Sequence, residues 1–508
     1  MGQADLRVTA LLKEAVALHQ SGKLAEAQAR YRQVLALAPR QFDALHLSGV
    51  AERQQGHAQA AADLIGQALA VDPAQATAHC NLGAALQDLG RAADGLASYD
   101  TALALNPNYA LAWSNRGNAL RKLGRLPEAV DSYERALALR PDNAEAWCNR
   151  AIALLDLGQA EAALESAEAA LRLRRPYPQA LCVRANALYQ LRDFEAALHS
   201  YDDAIAADAQ APEAHGGRAL ALLKLGRAQE ALGSAEASLA LRPAYPQGQR
   251  QRGDALLALG RREDAIAAYQ EAQALAREAG QDSADIDFAL AALGVGAAPE
   301  RAPGAYVKAL FDGYAGHFDE HLTGVLGYRT PALLGEAIGR HVDRLVEPGG
   351  LAVADLGCGT GLCAPVLRPL ARSLAGVDLS ERMLAQARAG GLYDELACAD
   401  IGDWLAGRPA AFDLAVAADV LVYFGALDGL FAAVRAALRP GGWFCFSTEA
   451  GEGEGYTLLP SNRYAHALPY LERLAAAHGF TVLDASRAVL RRENGAGIEG
   501  HLLVLRAA

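Results

Sequence analysis

Small and apolar residues recur at fixed steps through the first 280 residues of the chain. A glycine recurs at intervals that are multiples of 34 residues, at Gly22, Gly56, Gly90, Gly124, Gly158, Gly226 and Gly260. An alanine follows five residues after most of these glycines, and a large residue, most often tyrosine, stands four residues further on. Such spacing fits two helices that pack closely around a short turn. The pattern therefore predicts about eight helical pairs between residues 7 and 279.

This period resembles that of the tetratricopeptide repeat, a 34-residue helix–turn–helix unit. The resemblance implies an all-α solenoid with a concave groove that binds a protein or peptide segment. Polar residues that recur on the first helices would supply hydrogen-bond donors to such a partner; they are Asn81, Asn115, Arg116, Asn149, Arg150, Arg184, Arg218 and Arg252. The alternative is that these side chains pair with acids on neighbouring helices.

The end of the repeat pattern is marked by a change in composition. Residues 282–294 predict one more helix, with Ser283 or Asp285 at its start and Gly294 at its end. Residues 295–304 are rich in proline, glycine and alanine, which is typical of a linker. We therefore expect a solenoid domain at 7–294, a linker at 295–304 and a second domain at 305–508.

The second domain contains an apolar run that is followed by a glycine-rich loop. Residues 351–354 suit a strand that is buried on both faces, and Asp355 closes the run. Gly357, Gly359 and Gly361 follow at every second position. Glycines in such a loop let backbone N–H groups and a helix N-terminus approach a ligand closely. The stretch therefore predicts a strand, a ligand-binding loop and a helix.

The spacing of these glycines argues against a dinucleotide site. A dinucleotide-binding loop has the spacing G-x-G-x-x-G, and here the third glycine comes one place early, because Leu362 stands where it would fall. Asp355 would also repel a pyrophosphate, whereas it would attract a ligand that carries an amine and a sulfonium. A nicotinamide-dependent dehydrogenase is therefore the least favoured enzyme class.

The loop resembles the first motif of class I S-adenosylmethionine-dependent methyltransferases, and later residues extend the match. Asp378 ends the next apolar run, 373–379, where a doubly wound fold presents an acid to ribose hydroxyls. The resemblance implies that Asp400, near the end of run 396–401, contacts the adenine amino group and that Asp419 lies near the amino acid portion. We expect S-adenosyl-L-methionine as the cofactor, bound by Asp355, Gly357, Gly359, Gly361, Asp378, Leu379, Asp400, Ile401, Asp419, Tyr306 and Tyr314.

Further runs complete a predicted α/β sheet. Residues 412–420 and 443–449 read as a fourth and a fifth strand. A helix is predicted at 462–478, and strands at 480–491 and 498–506 are joined by R-E-N-G-A-G, which suits a hairpin. With these elements the family resemblance implies a Rossmann-like domain with a seven-stranded sheet whose last two strands are antiparallel.

Residues 306–331 are dense in aromatic residues and histidine, in a chain with only 6% aromatic residues. The segment resembles the N-terminal flap that closes over the cofactor in many small-molecule methyltransferases, and it is also similar to bacterial methyltransferases that carry tetratricopeptide repeats in front. Tyr306, Tyr314 and Phe318 are the candidates for covering the methionine end of the ligand. An aromatic stripe at helical spacing also fits simple core packing. A helix is predicted at 333–346.

The charge, the cysteines and the apolar runs of the chain exclude several kinds of partner and site. Lys and Arg number 47 against 59 Asp and Glu, so the net charge is −12 and nucleic acid is not expected as a main partner. Seven cysteines form no C-x-x-C pair, so no metal site or disulfide framework is expected. No apolar run approaches the ~20 residues that cross a bilayer, and the N-terminus mixes both charge signs. We therefore expect a cytoplasmic protein that does not bind membranes.

The sequence leaves the methyl acceptor and the catalytic residue unknown. A base is needed only if the acceptor carries a proton to lose. Seven residues could supply a base or orient a carboxylate, and each is better explained by a structural role; they are His317, His321, Tyr423, Glu449, Arg463, Tyr464 and His466. Residues 419–423 read D-V-L-V-Y where adenine and glutamine N-methyltransferases of this class carry N-P-P-[YF], which disfavours those acceptors.

Three functions follow from this pattern. The favoured one is a methyltransferase whose repeats recruit a protein or a carrier-bound substrate. The second is a small-molecule O-methyltransferase that uses its repeats only for assembly. The third is a non-catalytic scaffold that binds partners through its repeats, which requires that the second domain does not bind the cofactor.

Overall fold

The structure is a computed structural model that describes residues 3–341, 350–493 and 495–508. The chain divides into two compact units, Met1–Pro243 and Ala244–Ala508. The fold class predicted from the sequence is confirmed, because an all-helical solenoid is followed by an α/β domain. The last repeat helices belong to the same compact unit as the α/β domain. The domain boundaries at residues 294 and 305 remain a prediction.

Sixteen helices in succession form the predicted solenoid in the described part of the chain. The helices of the first unit are α1 (Gln3–Gln20), α2 (Leu24–Leu37), α3 (Phe42–Gln54), α4 (Ala58–Val71), α5 (Ala76–Asp88), α6 (Ala92–Leu105), α7 (Ala110–Lys122), α8 (Leu126–Leu139), α9 (Ala144–Asp156), α10 (Ala160–Leu173), α11 (Pro178–Gln190), α12 (Phe194–Ala207), α13 (Pro212–Lys224) and α14 (Ala228–Leu241). The second unit contains α15 (Pro246–Ala258) and α16 (Arg262–Glu278), followed by α17 (Ala284–Ala292).

The periodic glycines lie in the turns between paired helices. Gly22, Gly56, Gly90 and Gly124 have φ between +73° and +85°, a left-handed conformation that costs glycine little. Arg192 occupies the same position in the sixth pair with φ 63°. The turn geometry is therefore kept even where the glycine is missing.

In several repeats the large residue fills the space left by a glycine on the paired helix. A Cβ atom on Gly83 would lie 2.7 Å from the Tyr99 ring, and one on Gly117 would lie 2.6 Å from the Tyr133 ring. Both tyrosines are fully buried. This contact explains why the alternation of small and large residues in the sequence predicts closely packed helix pairs.

The recurrent arginines are paired with neighbouring side chains. Arg116 donates to Asp100 and Ser132, and Arg150 donates to Glu134 and Ser166. The same pattern continues further along with Arg184, which contacts Ser200 and Asp203, and Arg218, which contacts Asp202 and Ser234. For these four arginines, pairing with local acids is confirmed.

The α/β domain is built on a nine-stranded sheet in the described residues. The strands are β1 (Leu351–Leu356), β2 (Ala371–Asp378), β3 (Glu395–Cys398), β4 (Phe412–Ala417), β5 (Leu438–Gly451), β6 (Tyr456–Leu458), β7 (Tyr464–Ala467), β8 (Phe480–Glu493) and β9 (Ala496–Ala507). Strands β3, β2, β1, β4 and β5 are parallel in that order, and β9 and β8 extend the sheet as an antiparallel pair. These are the seven predicted strands, and the hairpin residue Asn494 lies outside the described residues.

Two short strands, β6 and β7, were not predicted. The sequence predicts a helix over 462–478, whereas Tyr464–Ala467 is a buried strand that pairs in parallel with the end of β5 and antiparallel with β6. The helix begins only at Leu468. The prediction of helix before Leu468 is therefore wrong, because pairing with β5 overrides the local sequence preference.

The remaining helices are α18 (Gly304–Asp312), α19 (Phe318–Glu320), α20 (Thr330–His341), α21 (Ala364–Leu367), α22 (Glu381–Gly390), α23 (Ile401–Ala406), α24 (Asp428–Ala437) and α25 (Leu468–Ala477). Trp404, Phe431 and Leu471 from α23, α24 and α25 pack in one core cluster with sheet residues. Leu334 and Leu367 from α20 and α21 pack in another cluster with other sheet residues. The sheet is thus covered on both faces, as a parallel sheet requires. The predicted helix over 333–346 is present to His341, and residues 342–349 lie outside the described residues.

Candidate active site

The glycine loop follows β1 at the carboxyl edge of the sheet. Gly357, Gly359 and Gly361 have φ of 67°, 55° and 94°, a region that side chains other than glycine adopt at a cost. The N–H groups of Gly357 and Cys358 donate to the carbonyl of Val377, at 2.8 and 3.0 Å. The loop is therefore fixed to the end of β2, and its glycines are required by its backbone conformation.

Asp378, at the end of β2, joins this loop to the next helix. Its Oδ2 accepts from the Gly359 N–H at 2.9 Å, and its Oδ1 accepts from the Ser380 N–H at 2.9 Å. Burial raises the pKa of the Asp378 carboxyl, and the backbone hydrogen bonds oppose that shift. The structure thus places an acid directly against the glycine turn, and its predicted contact with ribose hydroxyls stays a prediction.

Asp355 lies within β1, and its residue is only 1% exposed. The Tyr393 hydroxyl donates to Asp355 Oδ2 at 2.6 Å. Burial raises the pKa of this carboxyl to about 7, and the hydrogen bond from Tyr393 opposes the shift. A Cβ atom on Gly361 would approach the same Tyr393 ring to 3.1 Å. Asp355 therefore belongs to the support of the glycine loop.

Asp400 follows β3 and caps α23. Its Oδ1 accepts from the Gly402 N–H at 2.9 Å, and its Oδ2 accepts from Arg301 Nη1 at 2.9 Å. The next residue, Ile401, is buried in the core, and Leu379 beyond β2 is half-buried. Because β2 and β3 are parallel neighbours, Asp378 and Asp400 lie at the same edge of the sheet.

Asp419, beyond β4, has φ +58°, which is a strained conformation for a residue with a side chain. Its N–H donates to Ser447 Oγ at 2.8 Å, and its Oδ2 accepts from Arg491 Nη1 at 2.9 Å. Its Oδ1 is buried, and no described residue forms a hydrogen bond with it. Asp419 therefore presents an unused hydrogen-bond acceptor at the end of β4.

Arg491 of β8 is the centre of a charged cluster that the sequence does not reveal. Its side chain is 2% exposed and contacts Asp419, Glu449 and Glu493. Arg463 adds a second cation and also pairs with Glu493. Asp419, Glu449 and Arg463 are remote from Arg491 in sequence, whereas Glu493 lies two residues after it on the same strand. The pairing of β8 with β9 and of β9 with β5 brings Arg491 to Glu449.

Comparison with known proteins agrees with this geometry. Residues 354–446 match the family described as methyltransferase domain. The match to the tetratricopeptide repeat and TPR repeat families covers residues 12–76, 48–110, 98–131, 117–158, 144–177, 182–248 and 251–278. A ubiquinone biosynthesis O-methyltransferase of Thiobacillus denitrificans is 31% identical over 163 residues, which are 31% of this chain and 68% of that protein. The chain is a tetratricopeptide-repeat protein with a methyltransferase domain.

Two further proteins are each similar to part of the chain. The methyltransferase domain is 28% identical to a ubiquinone biosynthesis O-methyltransferase of Chromobacterium violaceum, over 23% of this chain and 52% of that protein. The chain thus spans only about half the length of this relative. A crystal structure of a tetratricopeptide repeat protein from Parabacteroides merdae is 19% identical, with a TM-score of 0.42, over 49% of this chain and 97% of that chain.

The aromatic segment before the methyltransferase domain's first strand lies against the glycine loop. The Phe318 ring is 3.9 Å from where a Cβ of Gly359 would stand. Tyr314 packs edge-on against Phe318 with 5.2 Å between ring centroids, and its hydroxyl contacts His321. Ser380 Oγ donates to Asp312 at 2.6 Å, which fixes the end of α18 to the start of α22. Tyr314 and Phe318 are therefore brought to the predicted site.

Tyr306 is placed differently from the other two aromatic candidates. Its ring packs against Phe288 of α17 with 5.3 Å between centroids, next to the cluster that contains Tyr464. The sequence does not predict this contact, because Phe288 lies in the helix that follows the repeats. Tyr306 thus joins the core between α17 and the sheet.

Most of the candidate bases have structural partners in the methyltransferase domain. His466 is fully buried between Thr448 and the Gly425 carbonyl, and burial lowers its pKa to about 4. The Tyr464 hydroxyl donates to the Pro299 carbonyl at 2.6 Å.

The described residues contain no group of three or more His, Cys, Asp or Glu side chains that could hold a metal ion. In those same ranges no helix is both long and apolar enough to cross a bilayer.

Proposed function

We propose that this protein is an S-adenosyl-L-methionine-dependent methyltransferase whose repeats recruit a protein or a carrier-bound substrate. The observation that carries the proposal is the hydrogen bond from Gly359 to Asp378, because it joins an open glycine turn to an acid at the end of the adjacent strand. This edge of a parallel sheet is where ligands bind in doubly wound folds. A cationic nucleoside suits it, because carboxylates attract a positive ligand and Asp378 and Asp400 lie at this edge of the sheet.

The residues present fit this cofactor. The Gly359 backbone is open, because the nearest atom to an added Cβ is 3.9 Å away. Asp378 would accept from the ribose hydroxyls, since each carboxylate oxygen accepts more than one hydrogen bond. Asp400 would accept from the adenine amino group in the same way. The unused Oδ1 of Asp419 suits the ammonium group of the amino acid portion.

The chain's own contribution to the reaction is alignment and exclusion of water. Bound S-adenosylmethionine supplies a methyl carbon activated by a positive sulfur. Phe318 and Tyr314 would cover the methionine end, since they lie over the glycine loop. Asp355, Gly357 and Gly361 would hold the loop in shape through the contacts with Tyr393 and β2. Positioning of this kind lowers the barrier by removing the cost of orienting the reactants.

The domain limits and location are part of the proposal. The repeat array extends over 7–294, a connecting segment over 295–304 and the catalytic domain over 305–508, in the cytoplasm. The partner of the repeats is a protein or peptide segment, with no role for nucleic acid or a membrane. Family membership of the repeats supports a protein partner.

A second candidate function is O-methylation of a free small molecule, with the repeats used for assembly. The observation that favours it is the similarity to proteins whose names state ubiquinone biosynthesis O-methyltransferase. The two candidates share the donor site and differ only in the acceptor. They are therefore separated by the product and not by cofactor binding.

Calorimetric titration of the full chain with S-adenosylhomocysteine tests the donor site. We expect saturable binding with one site per chain, and a loss of about 10-fold or more in affinity for Asp378→Ala, since two or more hydrogen bonds to the ribose are removed. Asp428→Ala is the matched control, because Asp428 is an exposed acid at the start of α24. The absence of binding to the unaltered chain would leave only the scaffold function.

A labelled-methyl experiment separates the two acceptor classes. The full chain is incubated with methyl-labelled S-adenosylmethionine and a cell extract, and the label is divided between acid-precipitated protein and an organic extract. Label in protein supports recruitment through the repeats. Label only in the organic extract supports the small-molecule function.

A further inference from the structure

Residues 299–302, which we call the strap, are hydrogen-bonded to the loop that follows β4. The Ala302 N–H donates to the Tyr423 carbonyl at 2.8 Å. The Glu300 carbonyl accepts from the N–H groups of Gly425 and Ala426 at 2.8 and 2.9 Å. These bonds pair the strap with the loop as a short antiparallel bridge between Arg301 and Phe424.

Side-chain contacts hold the strap in the same place. Ala302 is buried in a cluster with Phe288 of α17, Tyr423 and Tyr464. The Pro299 carbonyl accepts from the Tyr464 hydroxyl at 2.6 Å. The strap is thus anchored at both of its ends, so the backbone of Arg301 is fixed with respect to the sheet.

The fixed backbone directs the Arg301 side chain to the adenine end of the proposed donor site. Arg301 Nη1 donates to Asp400 Oδ2 at 2.9 Å, with the two side chains 59% and 29% exposed. The other oxygen, Oδ1, is held by the Gly402 N–H at the start of α23. Both oxygens of Asp400 are therefore oriented by groups outside the ligand.

We propose that Arg301 is a positioning residue that orients Asp400 toward the adenine amino group. The inference rests on the proposed function. An Oδ2 that already accepts one hydrogen bond from Arg301 keeps a second lone pair, whose direction is set by that bond. Without Arg301 the carboxylate keeps only the bond to Gly402 and rotates more freely. Arg301 then contributes to the affinity for the methyl donor although it precedes residues 354–446, which match the methyltransferase family.

The strap also links the end of the repeats to the donor site. The helix α17 contacts Tyr306 and Tyr464 through Phe288, and residues 293–298 connect α17 to the strap. The loop to which the strap is hydrogen-bonded comes directly after Asp419. The same four residues therefore contact the loop beyond Asp419 and, through Arg301, the cap at Asp400.

Titration of full-length variants with S-adenosylhomocysteine tests this role. We expect Arg301→Ala to bind about 5-fold more weakly than the unaltered chain, as for loss of a partly exposed ion pair. Arg301→Lys should recover part of this loss, because it keeps one donor. The matched control is Arg487→Ala, which removes a similarly exposed pair with Glu499 on the hairpin of β8 and β9.

A ligand variant separates positioning from a general structural effect. The analogue with purine in place of adenine lacks the amino group, so Arg301→Ala should not change its affinity by more than about 2-fold. Equal weakening for both ligands, or no weakening for S-adenosylhomocysteine, overturns the inference. If the unaltered chain binds neither ligand, the proposed function itself fails, and that result is distinct from a failure of Arg301 alone.

Discussion

The N–H of Gly359 donates a hydrogen bond to Asp378 Oδ2 across 2.9 Å, so the glycine loop after β1 and the acid after β2 form one unit. The two residues are 19 apart in sequence, and the parallel pairing of β1 with β2 brings them together. Because the glycine has no side chain, the backbone reaches the carboxylate while staying open on its other side.

Two glycines of the loop should respond differently to alanine. An added Cβ on Gly357 would lie 2.4 Å from Val420 Cγ2, whereas on Gly359 it would meet nothing closer than 3.9 Å. Gly357→Ala should therefore cost about 3 kcal/mol of domain stability and Gly359→Ala about 1 kcal/mol, because both have positive φ but only the first also clashes. Urea denaturation measures both values.

The alanine variants of Gly357 and Gly359 also distinguish an effect on stability from an effect on ligand binding. Val420→Ala in the Gly357→Ala background should recover the part of the loss that comes from the clash. Gly359→Ala should weaken S-adenosylhomocysteine binding more than its small stability loss explains, since its methyl group occupies the ligand side. Equal stability losses for the two glycine variants would contradict the account.

Asp355 should make the stability of the domain fall as pH rises. Its pKa is about 7 in the folded chain against an ordinary 3.8, so between these values only the unfolded state releases the proton. The unaltered chain should therefore lose up to about 4 kcal/mol between pH 4 and pH 7 through this group. Asp355→Asn keeps an acceptor for Tyr393 and removes the titration.

The measurement is the melting temperature of Asp355→Asn minus that of the unaltered chain, taken at several pH values. This difference should grow more positive as pH rises through 7 and stay constant above about 8. A difference that does not vary with pH would show that Asp355 does not bear this proton in the folded state.

Loss of Arg491 should destabilise the domain strongly. Its side chain is 2% exposed and contacts three carboxylates, and Arg463 is the second cation of the cluster. Arg491→Ala leaves the buried Glu449 with only the more distant Arg463, at 3.6 Å, and should cost about 3 kcal/mol. Arg487→Ala, which removes an exposed pair, should cost less than about 1 kcal/mol. Adding Glu449→Gln to Arg491→Ala should recover part of the loss. Urea denaturation curves measure the stability of each variant, and a larger loss for Arg487→Ala than for Arg491→Ala would contradict this prediction.

Two substitutions in the repeat turns should change the stability of the chain in opposite directions. Gly124→Ala should cost about 1 kcal/mol, because φ is +73° there and no atom lies within 4 Å of the new methyl group. Arg192→Gly should instead stabilise by about 0.5 kcal/mol, since relief at φ 63° exceeds the loss of its cation–π contact with Phe194. Thermal denaturation measures the melting temperature of each variant. A shift of both melting temperatures in the same direction would contradict this view of the turns.

Much of the fold could be predicted because its signals are local. The 34-residue period fixes the turns at positive-φ positions such as Gly22, and the apolar run before Asp355 is a strand buried along its whole length. Acids directly after strands, such as Asp378 and Asp400, come together because parallel strands end at one edge. For these elements the position of a residue in its turn, or at the end of its strand, is enough to predict where it lies.

The rest depends on contacts between distant parts of the chain. Tyr464–Ala467 is a strand only because β5 extends beyond its other partners and pairs with it. Arg491 reaches Asp419 across 72 residues, and Arg301 reaches Asp400 across 99 residues. Nothing in the local sequence of either arginine indicates its acid, so these parts of the site could be found only from the structure.

A crystal structure of the full chain with S-adenosylhomocysteine would show whether the donor binds at the glycine loop. The account predicts difference density at the carboxyl edge of β1, β2 and β3, with the ribose hydroxyls within hydrogen-bond distance of Asp378, the adenine amino group beside Asp400 and the backbone of Gly359 against the ligand. Density at another place, or a ligand at that edge that contacts neither Asp378 nor Asp400, would contradict it.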